Sequence, residues 1–337
     1  MCDSRKGIAF AGNILADIVK SIDYYPMAGR LANIKNMSIS VGGCVPNTAI
    51  DLAIIDPDIP ISAVGMVGDD DYGNYVLSCM KKHGIDVTGV VVSDTLQTSF
   101  TDVMSVASGE RTFFHMRGAN AKFSPSNIDL SKLNCRILHT GYILLLDAFD
   151  EKDEEYGTAM ARFLCDAQKV GIKTSVDAVS DSSADYKEKV LPALRFCDYA
   201  IMNEIECCAI FGLDPYVDGE LELSIVQNAM EKMVESGVRE KVIIHCKTHG
   251  LCLDAVSREF TVVSSLSIPS NEIKGSVGAG DAFCAGALYG IHRNFHDREM
   301  LEFASAAAAC NLFAENSVDG MRNFTEIQKV MMRYHRQ

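Results

Sequence analysis

The sequence predicts an α/β protein, a three-layer α/β/α domain with a mostly parallel central sheet and a small inserted β-sheet. Three observations predict it. Short apolar runs alternate with segments of helical periodicity, the pattern of a parallel sheet covered on both faces. Two stretches, 14–40 and 90–118, carry alternating strand-like residues with no helix between them. No linker, low-complexity tract or repeat divides the 337 residues, so a single domain spans 1–337.

The strands expected for the central sheet are Gly7–Ala11, Ile61–Val67, Ile137–Leu145, Thr174–Val176, Tyr199–Met202, Val242–Cys246 and Leu251–Asp254. Helical patterns between them cover Asn47–Ile55, Tyr72–His83, Tyr156–Val170 and Ile225–Ser236. The charge cluster Asp147 to Glu155 reads as the solvated start of the third of these helices, where carboxylates favour the positive end of the dipole. In the two helix-free stretches, Val90-Val91-Val92, Thr98–Val103 and Thr112-Phe113-Phe114 read as antiparallel strands, with Ser108-Gly109-Glu110 as a hairpin turn. A sheet projecting beside a cleft can act as a lid that excludes water.

Composition removes several function classes. Lys and Arg number 31 against 45 Asp and Glu, a net charge of -14. Such a surface repels phosphate backbones and anionic lipid, so no nucleic-acid or membrane-surface role is expected. No apolar stretch reaches the length of a membrane span. None of the 12 cysteines has C-x-x-C spacing, and the adjacent Cys207 and Cys208 suit neither a metal nor an ordinary disulfide. They read as small buried hydrophobes. Met1 to Lys6 leads straight into a strand-like run, and a reduced, cytoplasmic protein is expected.

The motif that carries chemistry is Gly275-Ser276-Val277-Gly278-Ala279-Gly280-Asp281, leading into a helix running to about His292. Glycines let backbone amides approach a ligand, and a helix start presents unpaired N–H groups. Together they form an anion pocket, here with a carboxylate set inside it. That carboxylate suits a base that accepts a proton from a hydroxyl attacking phosphorus. The plainer reading of Asp281 is a helix cap. There is no P-loop, and no complete G-x-G-x-x-G follows the first strand, which argues against a dinucleotide-dependent oxidoreductase. Upstream, Gly42 and Gly43 precede a helix that Asn47 can cap. Gly12-Asn13-Ile14-Leu15-Ala16-Asp17 places an acid just after the first strand, suited to accept bonds from neighbouring hydroxyls.

These pieces occur in one order: G-N-x-x-x-D, G-G-x-x-x-N, Asn203-Glu204-Ile205-Glu206 after a strand, and a late G-A-G-D. That order resembles the PfkB, ribokinase-like, carbohydrate kinase family over about residues 5 to 325. Ile61–Gly68 with Asp69, Asp70 and Gly73 resembles the family's V-G-x-D-x-x-G, and Arg117–Ala121 the stretch leaving its lid. The resemblance implies a ribokinase-like fold and ATP-dependent phosphorylation of a sugar or related hydroxyl compound. Asp281 would be the base, with amides around Gly278, Ala279 and Gly280 as the anion hole. Asn203 and Glu206 would lie near the phosphates and order Mg2+ through water. Asn13, Asp17, Gly42, Gly43 and Asn47 would hold substrate hydroxyls.

Departures from the family pattern matter. Gly275-Ser276 stands where the family commonly has Asp-Thr, which leaves monovalent-cation dependence open. The family's T-x-G-x-x-G becomes His245-Cys246-Lys247-Thr248-His249-Gly250. Gly250 is kept, and Lys247 either reaches an ATP phosphate or points to water. Asn311 lies where the family places adenine-site residues. The segment from Gly42 to Asn47 offers no cation for a phosphorylated substrate. The substrate expected is a non-phosphorylated sugar or sugar acid, with Arg117 available for a carboxylate; a nucleoside, or a non-catalytic sensor of the same fold, is the alternative. An apolar lid face needs cover, and a homodimer through the lid is expected.

Overall fold

The structure, a computed structural model, describes residues 5–106, 110–180 and 185–337. Nine strands form the central sheet. Their order across it is Phe260–Ser264, His249–Asp254, Lys241–His245, Tyr199–Asn203, Lys173–Ala178, Ile137–Ile143, Ile8–Gly12, Ile61–Gly68 and Asp86–Ser93. The first two run antiparallel to their neighbours, and the others are parallel.

Alternation along each strand builds two cores. Ile8, Phe10, Ile201 and Ile243 face the helices Cys44–Ile55, Ala279–Arg293 and Asp297–Asn311. Ala9, Ala11, Ala200, Met202, Val242 and Ile244 face Ala159–Lys169 and Leu223–Ser236. Both faces are therefore apolar, which is why the strands read as runs rather than as amphipathic stripes. Each fully buried large side chain, such as Phe10, contributes about 1.5–3 kcal/mol. Helices Ala279–Arg293 and Asp297–Asn311 pack closely because a Cβ on Gly286 would lie 2.7 Å from Ala304 Cα. Small residues set that spacing. Among the described residues no helix is long and apolar enough to cross a membrane.

A second sheet orders Ile34–Gly42, Leu15–Ile22, Ser99–Ser105 and Arg111–Met116. Leu15–Ile22 and Ser99–Ser105 pair in parallel, and the outer pairings are antiparallel. Asn120, fully buried, ties its exit to its entry. Its Oδ1 accepts from Ile14 N and its Nδ2 donates to Ile14 O, both at 3.2 Å. Asp70 holds the other root, accepting from Thr98 N at 2.7 Å and Gly73 N at 2.9 Å.

Two expectations need correction. Val90–Val92 belongs to the central sheet, where Asp86–Ser93 pairs in parallel with Ile61–Gly68 as the edge strand. An edge strand and a projecting strand share the same half-exposed alternation, so periodicity could not separate them. The antiparallel pairing expected of Thr98–Val103 and Thr112–Phe114 is present as Ser99–Ser105 against Arg111–Met116, while the centre of that sheet is parallel. The cluster Asp147–Glu155 is a loop with a two-residue ribbon, and the helix starts only at Ala159, capped by Thr158. Asp153 there accepts from Glu155 N at 2.9 Å and Tyr156 N at 2.8 Å, bonds that compete with helix. Ser108 and Gly109 of the expected hairpin lie outside the described residues. The strand Phe260–Ser264 and helix Phe324–Arg333 were not expected.

Candidate active site

The parallel strands all end on one edge of the sheet, and the site lies there. Asn13, Asp177, Asn203 and His245 each stand at or just beyond a strand's carboxyl end. Open α/β sheets bind ligands on that edge.

Helix Ala279–Arg293 begins at Gly278, whose φ of 80° only glycine adopts cheaply. A Cβ there would also lie 2.6 Å from Ser317 Cβ. The turn leaves the first-turn amides of Gly280 and Asp281 without intrahelical acceptors. Ala279 N is half spent, donating to Ser276 O at 3.3 Å.

Asp281 is 7% exposed. Tyr142 Oη donates to its Oδ1 at 2.6 Å, and Asn47 Nδ2 donates to its Oδ2 at 2.9 Å. Burial pushes its carboxyl up, and the bonds from Tyr142 and Asn47 pull it back. Asn47 is itself fixed. Its Oδ1 accepts from Ser317 Oγ at 2.8 Å, and Ser317 O accepts from Asn311 Nδ2 at 2.5 Å. This line of bonds joins three helices behind one carboxylate.

Above it, Asp17 points from the small sheet. A Cβ on Gly42 would lie 2.4 Å from Asp17 Oδ2, so Gly42 is the space into which Asp17 leans. Burial, offset by the Thr101 hydroxyl and reinforced by the charge of Asp281, raises the Asp17 carboxyl to about 7.

To one side, Glu206 accepts from Ser180 Oγ at 2.8 Å and Asn203 N at 3.0 Å, closing a capping box with Asn203. Burial raises its carboxyl to about 7. Asp177, 7% exposed, is driven up by burial and then by Glu206 and Asp281. Two neighbouring buried carboxylates of one sign are a setting that a divalent cation relieves. Beyond the glycine turn a cleft of about 630 Å³ opens, lined by His245, Lys247, Ser276, Ala279, Phe283 and Leu312 among others. The His245 and Phe283 rings sit 5.2 Å apart, and burial lowers the imidazole to about 4, leaving it neutral.

A buried carboxylate thus stands beside the open amides of a helix start and faces a sheet that carries a second carboxylate. The family model described as pfkB family carbohydrate kinase matches residues 11–322. The chain belongs to the pfkB family. It is 22% identical over 331 residues to a ribokinase of Schizosaccharomyces pombe, covering 95% of this chain and 96% of that one. A 5-dehydro-2-deoxygluconokinase of Shouchella clausii is 24% identical over 310 residues, covering 88% and 87%. The solved structure of Arabidopsis thaliana ribokinase with ribose and ATP superposes with a TM-score of 0.79 at 20% identity, covering 97% and 99%. The fold is ribokinase-like.

Within this pfkB fold, Asp281, Gly278, Ala279, Gly280, Asn47, Asp17, Gly42 and Gly43 come together around one point. Gly43, at φ 88°, leaves no room for a Cβ, which would lie 2.5 Å from Asn13 O. Ser276 and Lys247 line the 630 Å³ cleft. Asn203 and Glu206 stand beside Asp177. Other expected residues take different places. Asn13 is fully buried, accepts from Tyr142 N at 2.8 Å and donates to Leu145 O at 3.2 Å. It thus shapes the turn that carries Tyr142. Asn311 is fully buried behind Ser317, off the cleft wall. Gly250 lies beneath Phe283, where a Cβ would come within 3.2 Å of the ring. Arg117 donates to Leu144 O at 3.2 Å and Asp147 Oδ1 at 2.7 Å. Cys44 and Cys284, beside the site in sequence, are each 1% exposed. Cys44 Sγ donates to Gly141 O at 2.5 Å.

Sequence reading missed Tyr142, Asp177, Ser180 and Ser317. Asp177 carried a usable signal, a carboxylate directly after the expected strand Thr174–Val176, on the ligand edge. Tyr142 and Ser317 carried none, because only the folded chain brings them to Asp281 and Asn47.

Proposed function

We propose that the protein transfers the γ-phosphoryl group of ATP to a hydroxyl of a small sugar or sugar acid. The observation that carries this reading is Asp281, a buried carboxylate aimed by Tyr142 and Asn47 and set against the open amides of a helix start. In the reaction Asp281 accepts the proton of the attacking hydroxyl, whose oxygen forms the new bond to the γ-phosphorus as the bond to the bridging oxygen breaks and ADP leaves. A carboxyl raised by burial is a better proton acceptor than an ordinary one. The amides of the glycine turn stabilise the charge spread over the transferred group. ATP lies through the 630 Å³ cleft, with Lys247 available to its phosphates and Phe283 and His245 as apolar walls.

The paired carboxylates Asp177 and Glu206 fit Mg2+, which would neutralise phosphate charge when bound and keep most of its water. Asp17 accepts bonds from sugar hydroxyls under the small sheet, which serves as a lid. Support for a sugar or sugar acid comes from the names of the relatives, a ribokinase and a 5-dehydro-2-deoxygluconokinase. Arg117 takes a substrate carboxylate only by exchanging it for Asp147. The eleven described cysteines are free, in keeping with the cytoplasm.

The test is ADP release with D-ribose, D-fructose, 5-dehydro-2-deoxy-D-gluconate and adenosine. Turnover of one of the first three, absent in Asp281→Asn, is expected. Silence with all four ends the kinase reading, and turnover of adenosine alone replaces the sugar with a nucleoside. Met37, Ile39 and Phe114 lie 57%, 41% and 59% exposed on one face of the lid sheet. A homodimer covers that face, and a monomeric mass in light scattering at micromolar concentration would refute it.

A further inference from the structure

Strand register places Ser40, Asp17, Thr101 and His115 in one row of the small sheet. The next row toward the central sheet holds Gly42, Leu15 and Ser99, and Ser99 Oγ donates to Arg117 O. Arg117 thus stands at the root of the small sheet. Its Nη1 donates to Leu144 O at 3.2 Å and to Asp147 Oδ1 at 2.7 Å. Leu144 follows closely on Tyr142, whose hydroxyl bonds Asp281, and Asn13 Nδ2 holds Leu145 O at 3.2 Å. The guanidinium therefore lies on the rim of the space between Asp17 and Asp281.

That space is negative. Asp17 and Asp281 stand on either side of it, and among the described residues no cation pulls either carboxyl down. Asp150, 8% exposed, stands behind Leu144 and accepts from its N at 3.3 Å. Burial raises the Asp150 carboxyl to about 6, against the Leu144 amide and Lys189, with Asp147 raising and Arg117 lowering it. Arg117 thus already offsets two acids of one loop. Other cations of the small sheet lie elsewhere. Lys20 stands on the opposite face, bonded to Asp102. Arg111 shares the face of Asp17 but pairs with Ser105, about 13 Å farther along the strand.

A carboxylate entering this space gains no net ion pair. It reaches Arg117 only by displacing Asp147, which stays tethered nearby as an unpaired charge. It also meets Asp17 and Asp281 with the same sign. A phosphate ester, at about −2, fares worse. An uncharged sugar escapes this cost, because its hydroxyls donate to the carboxylates.

We propose that the acceptor is an uncharged sugar, and that Asp147 is a specificity-determining residue that excludes sugar acids by occupying the Arg117 guanidinium. This rests on the sugar-kinase reading and narrows its substrate to one charge class. Asp147 is 52% exposed, so its replacement leaves the fold in place.

The test uses the full chain, ADP release and calorimetry, with D-ribose and D-fructose against D-gluconate and 5-dehydro-2-deoxy-D-gluconate. In the wild type the better neutral sugar should exceed either acid by about tenfold or more, in kcat/KM and in affinity. Asp147→Ser should raise the acid-to-neutral ratio about tenfold, the worth of a charge-assisted bond to the freed guanidinium. Adding Arg117→Gln should return that ratio to within about threefold of the wild type. A wild type that binds an acid within about threefold of the neutral sugar, or better, overturns the proposal. So does an unmoved ratio in Asp147→Ser, a gain that Arg117→Gln leaves in place, or no binding of any of the four. The two readings fail differently. A neutral sugar bound in preference but not phosphorylated ends the kinase reading alone. A sugar acid phosphorylated in preference to both neutral sugars ends this one alone.

Discussion

The helix start that carries Asp281 and the small sheet that carries Asp17 face the same space, yet they are built in opposite ways. Asp281 is locked. Two side chains donate to it, and one of these, Asn47, is held in turn by Ser317 and Asn311. Asp17 stands half-buried on a four-stranded sheet, beside Thr101 in the strand register, with a glycine for a neighbour. The difference teaches a division of labour. Chemistry needs one carboxylate at one place, so its support is deep and redundant. Substrate choice needs exposed, exchangeable side chains on an element that can move. Changes to the first should strike kcat, and changes to the second should strike KM.

The largest effect expected is for Asp281→Asn, a loss of about a thousandfold in kcat with ATP affinity retained. ADP release reads the first and calorimetry the second. Comparable turnover by that variant would remove the base and with it the contrast between the two regions. Asn47→Ala comes next. It strips one of the two donors from the buried Asp281 carboxylate, while Ser317 keeps Val41 O as an acceptor, so kcat should fall about thirtyfold, in line with roughly 2 kcal/mol for a buried polar group left unpaired. A change in sugar KM alone would place Asn47 with the lid instead.

Asp17 supplies a pH test with a definite sign. Its carboxyl titrates near 7 in the folded protein, against 3.8 for the free group. Ionised Asp17 accepts from hydroxyls, so sugar KM should rise about tenfold per pH unit below 7, and Asp17→Asn should flatten that slope. Stability runs the other way. The folded state holds a proton that the unfolded chain has lost between the two pKa values, so this group costs stability increasingly as pH rises through that window. Asp17→Asn should therefore raise the melting temperature more at pH 8 than at pH 5. An equal rise at both would show that Asp17 has an ordinary pKa. The smallest effect is at Gly42→Ala, where the added methyl displaces Asp17. A severalfold rise in sugar KM with unchanged kcat is expected, and a loss confined to kcat would contradict it.

How much of this was legible beforehand varies by residue. Asp281 and its glycine turn are contiguous, so one short segment announces both the carboxylate and the amides. Asp17, Gly42 and Asn47 were found through their order along the chain. Asn311 and Gly250, expected at the ATP site, lie off the lining of the 630 Å³ cleft, because a sequence position says nothing about which way a side chain faces. Tyr142 and Ser317 gave no local sign, since their partners lie 139 and 270 positions away.

By itself the sequence determined the alternation of strands and helices, the parallel sheet with two apolar faces and the glycine turn with its carboxylate. Each of these is a local matter of side-chain period, backbone freedom or charge. Tertiary structure alone decided that Val90–Val92 closes the main sheet, that Asp177 joins Glu206, and that Thr101 stands between Asp17 and His115. The physical reason is that register and burial belong to pairs of distant segments. Whether a carboxyl is charged at pH 7 depends on what the rest of the chain packs around it.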